Sequence, residues 1–295
     1  MVLGVFEGRI FSLHFRYRNN AFQALKIACS KYFFNDDLIA KQYLEKNLTA
    51  TPDNYDLTLF SEKISNLPLC FKPGTKWNYS VGIDLAGRLI EMISGQPLDH
   101  YLSNNLLDQL DMEDTKFFLP DSKRDRFTDC FFYHDMTKNF LPLVKQYQNF
   151  HYKKGEVSNF SGGSGLLSTG RDYVKFARLL LNDGKLKNAR ILSKEVMNKI
   201  RQNSLDWDIA SIGVGSFAQM PTSGMGHSLA GSVIINPNSE FSSNVGDFGW
   251  GGMASNYFWI DFKKKYTAVF MTQLLPSASY PNRRELKKLV NQILQ

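Results

Sequence analysis

A turn that leads directly into an amphipathic helix constrains this chain more than any other stretch. Pro73-Gly74 predicts the turn, because proline presets one backbone dihedral angle and glycine accepts the positive angle that follows. Apolar residues then recur at helical spacing up to Gly95, which predicts a helix that ends there and has Ser80 as its N-terminal cap. Its apolar face would consist of Ile83, Ala86, Leu89, Ile90 and Ile93.

Tyr79 stands just before this helix and is a candidate for acid–base chemistry. The partial positive charge at a helix N-terminus favours a phenolate, so the sequence predicts a lowered pKa for Tyr79. The alternative is an aromatic side chain packed at the boundary between two elements. The local sequence leaves both interpretations open.

The composition indicates a globular protein. With 295 residues and 43% apolar content, the chain can form one large domain or two small ones with a packed core. The net charge of +7 is spread along the chain without a dense basic stripe, so we expect no nucleic-acid partner. No apolar run approaches the roughly 18 residues that span a bilayer. The N-terminus also lacks the features of a signal peptide, which favours a cytoplasmic location for the chain as written.

The cysteines and histidines form no pattern typical of a metal site. Cys29, Cys70 and Cys130 are odd in number and lack the close paired spacing of zinc ligands. The five histidines are scattered, and no H-E-x-x-H motif occurs. We therefore expect structural or free thiols, no metal and no cofactor.

Two glycine-rich segments are candidates for ligand binding. Residues 248–252 read Phe-Gly-Trp-Gly-Gly, and small residues on a strand let a substrate lie against the backbone, whose amides can hold a developing oxyanion. A glycine bulge beside a core tryptophan is the alternative. The segment 161–170 has the glycine spacing of a phosphate-binding loop, but it lacks the lysine and the hydroxyl residue that must follow Gly170. It is therefore not a phosphate site.

The rest of the chain predicts a mixture of helices and strands. Thr169 and Asp172 form a capping box before a buried helix. Residues 256–260 and 266–273 predict a hairpin, and Asn282 with Glu285 would cap a closing helix. That helix would bury Leu286, Leu289, Val290 and Ile293. Further elements are a hairpin at 5–17 and helices at 21–31, 38–48, 57–67, 98–107 and 193–202.

From about Leu57 onward the chain resembles the penicillin-recognising serine hydrolases, which include class C β-lactamases, DD-peptidases and their esterase relatives. Four blocks occur in the family's order: PLCFKPGTKWNYSVGIDLAGRLIEMISGQPLDHYL, LLDQLDMEDTKFF, SGGSGLLSTGRDYVKFARLLLNDG and FGWGGMASNYFWIDFKKKYTAVFMTQ. The resemblance implies an α+β, β-lactamase/transpeptidase-like fold, in which helices and a helical region flank a mostly antiparallel sheet. It also implies one domain over residues 1–295, with a shortened, divergent front part at 1–56 and a family-like part at 57–295.

The same resemblance implies roles for individual residues. Tyr79 matches the family's catalytic base, and Trp250, Gly251 and Gly252 match the substrate-binding wall. Trp-Gly-Gly is typical of the esterase-like branch, where β-lactamases carry Lys or His, then Thr or Ser, then Gly. Val81 replaces an asparagine that many relatives carry. The implied reaction is acyl transfer with a small-molecule ester or amide as substrate.

No nucleophile accompanies these residues. The family's serine needs a lysine three positions later, because side chains one helical turn apart share a face. No serine from Ser12 to Ser279 has one, and Cys29 and Lys31 are only two positions apart. We therefore expect an esterase-like protein with weak or no activity. The alternative is a non-catalytic relative that binds a ligand or partner. An open sheet edge near 266–273 would favour self-association.

Overall fold

The computed structural model describes most of the chain as two compact units. The first unit comprises Met1–Ser122 and His151–Ser168, and the second comprises Lys123–Phe150 and Thr169–Gln295. The described residues are 38–46, 48, 56–69, 71, 72, 77, 79–142, 157, 159–187, 189–212, 216, 217, 220–229, 231–237, 243–277 and 279–294. The predicted hairpin at 5–17, the predicted helix at 21–31, the Pro73-Gly74 turn, Cys29 and Cys70 lie outside them.

The described part of the first unit is helical. Its helices are α1 (Leu38–Glu45), α2 (Leu57–Ser65), α3 (Gly82–Ser94) and α4 (Leu98–Leu102), and one π-helical turn follows at Ser103–Leu107. All four helices fall within predicted helical stretches. Their shared core consists of Tyr43, Leu48, Phe60, Ile64, Leu67, Val81 and Leu85. Asp56 caps α2 by accepting a hydrogen bond from the Leu59 N–H at 2.8 Å.

Helix α3 differs from its prediction at its beginning and on its buried face. Val81, not Ser80, occupies the N-cap position, and no side chain caps the helix there. Gly95 ends the helix in the left-handed conformation, as predicted. The buried residues are Asp84, Leu85, Gly87 and Ile90, whereas Ile93 is half exposed. Compared with the predicted apolar face, the buried face of α3 is therefore rotated toward Asp84. The Asp84 side chain has hydrogen-bond partners inside the first unit.

The second unit combines a sheet with helices. In chain order its elements are β1 (Phe131–His134), β2 (Asn139–Pro142), α5 (Gly170–Leu181), β3 (Lys185–Leu186), β4 (Ala189–Arg190), α6 (Lys194–Ile200), β5 (Ser216–Phe217), β6 (Met220–Pro221), β7 (Met225–His227), β8 (Ser232–Ile234), β9 (Phe248–Gly251), β10 (Tyr257–Asp261), β11 (Tyr266–Phe270), β12 (Leu274–Leu275) and α7 (Asn282–Ile293). Short 3₁₀ turns occupy Asp121–Arg126 and Ile209–Ile212.

The main sheet is antiparallel, with the strand order β11-β10-β9-β8-β7. The hairpin of β10 and β11 confirms the prediction for 256–273. Every residue of β10 is buried, because helices cover both faces. Phe258 contacts Tyr173 of α5 on one face, while its neighbour Trp259 is linked through the Tyr266 hydroxyl to Asn291 of α7. A smaller sheet has the order β12-β1-β2. The α+β class is confirmed.

Helix α7 buries a polar face instead of the predicted apolar one. Arg283, Lys287 and Asn291 are buried, whereas Leu289 is 55% and Ile293 81% exposed. Pro281 stands at the N-cap position, without a side-chain cap. The polar residues are spaced by four and share a helix face, and each has a polar partner in the sheet or its turns. No described helix is both long and apolar enough to cross a membrane.

Candidate active site

The sequence-predicted site residues are divided between the two units. Tyr79 belongs to the first unit, and Trp250, Gly251 and Gly252 belong to the second.

Asp84 organises the surroundings of Tyr79. It lies in the first turn of α3 and is 5% exposed. Its carboxylate accepts hydrogen bonds from the Ser161 hydroxyl and, at 3.3 Å, from the Gly163 N–H. The Ser161 oxygen in turn accepts the Ser164 N–H at 3.1 Å. We call Asp84, Ser161, Gly163 and Ser164 the Asp84 latch, because they join the start of α3 to a segment 77 residues later in the chain.

The Asp84 latch explains why the segment after Ser161 is rich in glycine. A Cβ atom on Gly163 would lie 2.9 Å from the Asp84 carboxylate, and one on Gly165 would lie 2.8 Å from the Phe117 ring. Both distances are shorter than ordinary contacts. The glycines therefore serve close packing within the unit.

The pKa of Tyr79 is raised, whereas the sequence argument predicted that it would be lowered. Desolvation of the hydroxyl is the main cause, and the nearby Asp84 carboxylate adds to it by disfavouring a second negative charge. Burial also raises the pKa of Asp84, although the hydrogen bonds from Ser161 and Gly163 oppose this effect. The prediction failed because it considered the helix N-terminus and left out the burial of the Tyr79 hydroxyl and the acidic residue in the first turn of α3.

Strand β9 presents the predicted wall. It pairs with β10, where Phe258 lies opposite Trp250 and Tyr257 lies opposite Gly251. The Gly252 N–H bonds to the Asn256 carbonyl at 2.9 Å, so that amide serves the turn. Because hydrogen-bonded and non-bonded pairs alternate in an antiparallel ladder, the N–H of Gly251 points away from β10. Gly251 is therefore the better placed of the two glycines to offer an amide to a ligand.

Arg283 of α7 anchors the turn that follows Trp250 and Gly251. It is 1% exposed, and its guanidinium donates to the carbonyl of Gly252 and, at 3.2 Å, to that of Ser255. Desolvation lowers its pKa. Ser255 has a positive φ of 67°, and its hydroxyl donates to the Leu274 carbonyl at 2.9 Å. The end of the wall is thus tied to two neighbouring elements.

A buried ion pair supports the same region. The Lys287 ammonium lies 3.6 Å from the Asp247 carboxylate, and both side chains are 2% exposed. Burial raises the pKa of Asp247 to about 6, against the attraction of Lys287. Burial also lowers the pKa of Lys287. Asp247 immediately precedes β9, so this pair and Arg283 hold the two ends of the strand against α7.

Asp84, Arg283 and Lys287 were not predicted from the sequence. Asp84 interrupts an apolar run between Ile83 and Leu85, which was a usable signal. The polar stripe of α7 was harder to find, because it has the same period as the apolar stripe beside it.

The described residues give little ground for metal chemistry. Among them, no three His, Cys, Asp or Glu side chains are grouped so that they can hold a metal ion. Cys130 is a half-buried free thiol whose pKa is raised by burial.

A family model matches most of the chain. The model of the family described as Beta-lactamase matches residues 31–292. Lovastatin esterase of Penicillium rubens is 27% identical over 248 residues, which are 81% of this chain and 60% of that protein. The chain thus spans about three fifths of the length of this relative.

Solved structures share the fold. The LovD6 mutant of simvastatin synthase from Aspergillus terreus matches with a TM-score of 0.74 and 21% identity, over 94% of this chain and 66% of that one. A penicillin-binding protein from Bacillus halodurans matches with a TM-score of 0.62 and 12% identity, over 91% of this chain and 73% of that one. Both likenesses concern the fold.

Proposed function

Since the chain belongs to the beta-lactamase family, we propose that it is an esterase-like member that binds small-molecule esters and hydrolyses them weakly or not at all. The observation that carries this proposal is the missing nucleophile. None of the serines in the 295 residues is followed by a lysine three positions later. Loss of an activated nucleophile lowers the rate by several orders of magnitude and leaves the effects of binding and oxyanion stabilisation.

The choice of esters rests on β9 and on the relatives. Trp250-Gly251-Gly252 replaces the lysine- or histidine-containing motif of β-lactamases, and the anchored turn keeps this strand rigid beside a ligand. Relatives are named for acting on esters or for transferring acyl groups, among them lovastatin esterase and an acyltransferase of Penicillium decumbens. We extend only the substrate class, an ester, to this chain.

Tyr79 favours a second candidate, a non-catalytic protein that binds a ligand or partner. With its pKa raised, the phenol stays protonated at neutral pH and can donate a hydrogen bond. A donor suits binding, whereas a general base must give up its proton. Under this hypothesis Tyr79 contributes to affinity and not to turnover.

One experiment separates these functions. The purified chain is incubated with a fluorophosphonate, and intact mass spectrometry detects any covalent adduct, with heat-unfolded protein as the control. Hydrolysis of p-nitrophenyl butanoate and the melting temperature with this ester are measured in parallel. We expect no stoichiometric adduct and a raised melting temperature. A stoichiometric adduct on a serine would overturn the inactive assignment.

Variants assign the result to one of the two functions. If slow hydrolysis is seen and Tyr79→Phe abolishes it, the weak-esterase function is supported. If hydrolysis is absent and Tyr79→Phe only lowers the ester-induced rise in melting temperature, the binding function is supported. Trp250→Ala should weaken the ester effect in both cases, and the absence of any ester effect in the wild type contradicts both.

We also propose that both units form one domain over residues 1–295 and that the chain self-associates. The family match covers both units, which supports the first statement. Among the described strands, β11 lies at an outer edge of the main sheet, and such an edge can pair with another chain. Light scattering should detect oligomers that grow with concentration, whereas a monodisperse monomer would contradict self-association.

A further inference from the structure

Two hairpin turns lie at the same end of the main sheet, next to the strand end that carries Trp250. The sheet is antiparallel with the order β11-β10-β9-β8-β7, so the β7–β8 turn and the β9–β10 turn lie side by side. Adjacent strands are about 4.8 Å apart, which places the midpoints of the two turns roughly 10 Å from each other. The ring centroids of Trp250 and of His227, which ends β7, are 5.4 Å apart. The β7–β8 turn therefore begins beside the proposed wall.

Both turns are held by neighbouring elements. In the β7–β8 turn, the Ser228 N–H donates to the Gly231 carbonyl at 2.8 Å. A Cβ atom on Gly231 would lie 3.0 Å from the Gly249 carbonyl oxygen, so the backbone of this turn packs directly on β9. In the β9–β10 turn, Arg283 of α7 donates to the Gly252 carbonyl. Side chains on these turns therefore start from fixed backbone positions, which is what recognition requires.

Each turn exposes one large apolar side chain among its described residues. Leu229 of the β7–β8 turn is 56% exposed, and Met253 of the β9–β10 turn is 58% exposed. Turns usually carry Gly, Pro, Asn, Asp or Ser, so a large apolar residue on both turns calls for a reason. Exposed apolar residues that lie together mark binding surfaces. Leu229, Met253 and the half-buried Trp250 supply such residues at one end of the sheet.

The spacing of the two turns suits a single aliphatic chain. Carbon atoms in contact lie about 4 Å apart, so a chain held between two side chains needs roughly 8 Å between them. Turns that are separated by about two strand spacings meet this requirement. The polar group of an ester would lie at β9, where Gly251 can offer its N–H. An ester with an aliphatic chain therefore matches both the apolar turns and the polar backbone beside them.

We propose that Leu229 and Met253 bind the aliphatic chain of an ester whose carbonyl group lies at the wall of Trp250, Gly251 and Gly252, and that they make the protein prefer long-chain esters. This inference rests on the proposed function, because it requires that an ester binds at the wall. It narrows the substrate class from esters in general to esters with an aliphatic chain. The competing role of Leu229 and Met253 is contact with a second copy of the chain.

The test compares two esters that differ only in chain length. Methyl acetate and methyl hexanoate are titrated at pH 7 into the ¹⁵N-tryptophan-labelled protein, and affinities are taken from the indole signal that disappears in Trp250→Phe. Leu229→Asn and Met253→Gln keep the approximate size of each side chain and make it polar, and they are measured singly and together. Leu289→Asn is the matched control, because Leu289 is a leucine of α7 with 55% exposure. Melting temperatures verify that each variant is folded.

We expect the wild type to bind methyl hexanoate about tenfold more tightly than methyl acetate, because its additional methylene groups are removed from water on a partly exposed surface. Each single variant should reduce this preference to about threefold, and the double variant should abolish it. Leu289→Asn should keep the preference of the wild type.

The outcomes separate this inference from the proposed function. If the wild type binds both esters equally, or if the preference survives in the double variant, the inference is wrong while the proposed function stands. If neither ester shifts the Trp250 signal in the wild type, the proposed function itself fails. If light scattering shows that the double variant reduces self-association but keeps the chain-length preference, Leu229 and Met253 contact a second copy and the inference is wrong. If one variant does not fold, the other single variant decides, and an unreduced preference in it overturns the inference.

Discussion

A buried carboxylate lies near Tyr79 and another lies near the strand of Trp250, but different groups stabilise the charge of each. Asp84 is held by neutral donors, the Ser161 hydroxyl and the Gly163 N–H. Asp247 lies beside the ammonium of Lys287. Neutral donors leave the negative charge of Asp84 in place. Desolvation raises the pKa of Tyr79, and this charge raises it further. The buried Asp261 carboxylate also acts on this pair.

This difference matters for what each region can do. Burial and the nearby Asp84 carboxylate both make loss of the Tyr79 proton harder than in an ordinary tyrosine, which favours hydrogen-bond donation. The end of β9 next to Trp250 is anchored by Arg283, and its beginning lies beside the Asp247–Lys287 pair. In the first region the carboxylate acts on Tyr79, the predicted base, whereas in the second the ion pair holds the strand in place.

The largest expected effect is the loss of the ion pair. Lys287→Met leaves Asp247 buried without its partner and should lower the free energy of unfolding by about 3–5 kcal/mol, measured by urea denaturation. Lys288→Met, on the exposed side of α7, should change it by less than about 0.5 kcal/mol. The double variant Asp247→Asn/Lys287→Met should recover much of the loss. Equal losses in the two single lysine variants would show that the pair does not stabilise the fold.

The Asp84 latch should have a smaller effect. Asp84→Ala removes the acceptor of the Ser161 hydroxyl and the Gly163 N–H, with an expected loss of about 2–3 kcal/mol. Asp84→Asn retains an acceptor oxygen and should lose less. It should also lower the pKa of Tyr79, which ¹³C-tyrosine NMR can follow against Tyr79→Phe. An unchanged Tyr79 pKa would mean that Asp84 does not control the phenol.

Matched glycine substitutions compare the packing of the two regions. Gly163→Ala places a methyl group 2.9 Å from the Asp84 carboxylate and should lower the free energy of unfolding by about 1–2 kcal/mol. Gly252→Ala places one 3.4 Å from Asn256, an ordinary contact, and should change it by about 0.5 kcal/mol or less. Thermal denaturation measures both. The reverse order would contradict the close packing of the latch.

A further prediction concerns the pH dependence of stability. The pKa of Asp247 is raised from 3.8 to about 6, so the folded protein holds this proton more tightly than the unfolded chain. The contribution of Asp247 to stability therefore falls as the pH rises from about 4 to about 6 and is constant above this range. The unfolding free energy of the wild type minus that of Asp247→Asn should fall over this window. A difference independent of pH would contradict the raised pKa.

The sequence alone predicted the local elements well. One half of the predicted capping box is present: at the start of α5, the Thr169 hydroxyl accepts a hydrogen bond from the Asp172 N–H at 3.2 Å. The hairpin of β10 and β11 and the end of α3 at Gly95 also agree. Such features depend on residues within a few positions of each other, which periodicity and turn chemistry describe.

The sequence by itself determined the family, through blocks that run from residue 57 to the C-terminal region, and it determined that no serine–lysine pair of the required spacing exists. Only the tertiary structure decided which stripe of α7 is buried and in which direction the pKa of Tyr79 moves. Helical periodicity shows that stripes exist, but the partners that bury one of them come from distant positions. Arg283 bonds to a turn 28 and 31 residues away, and Asp84 bonds to Ser161 across 77 residues.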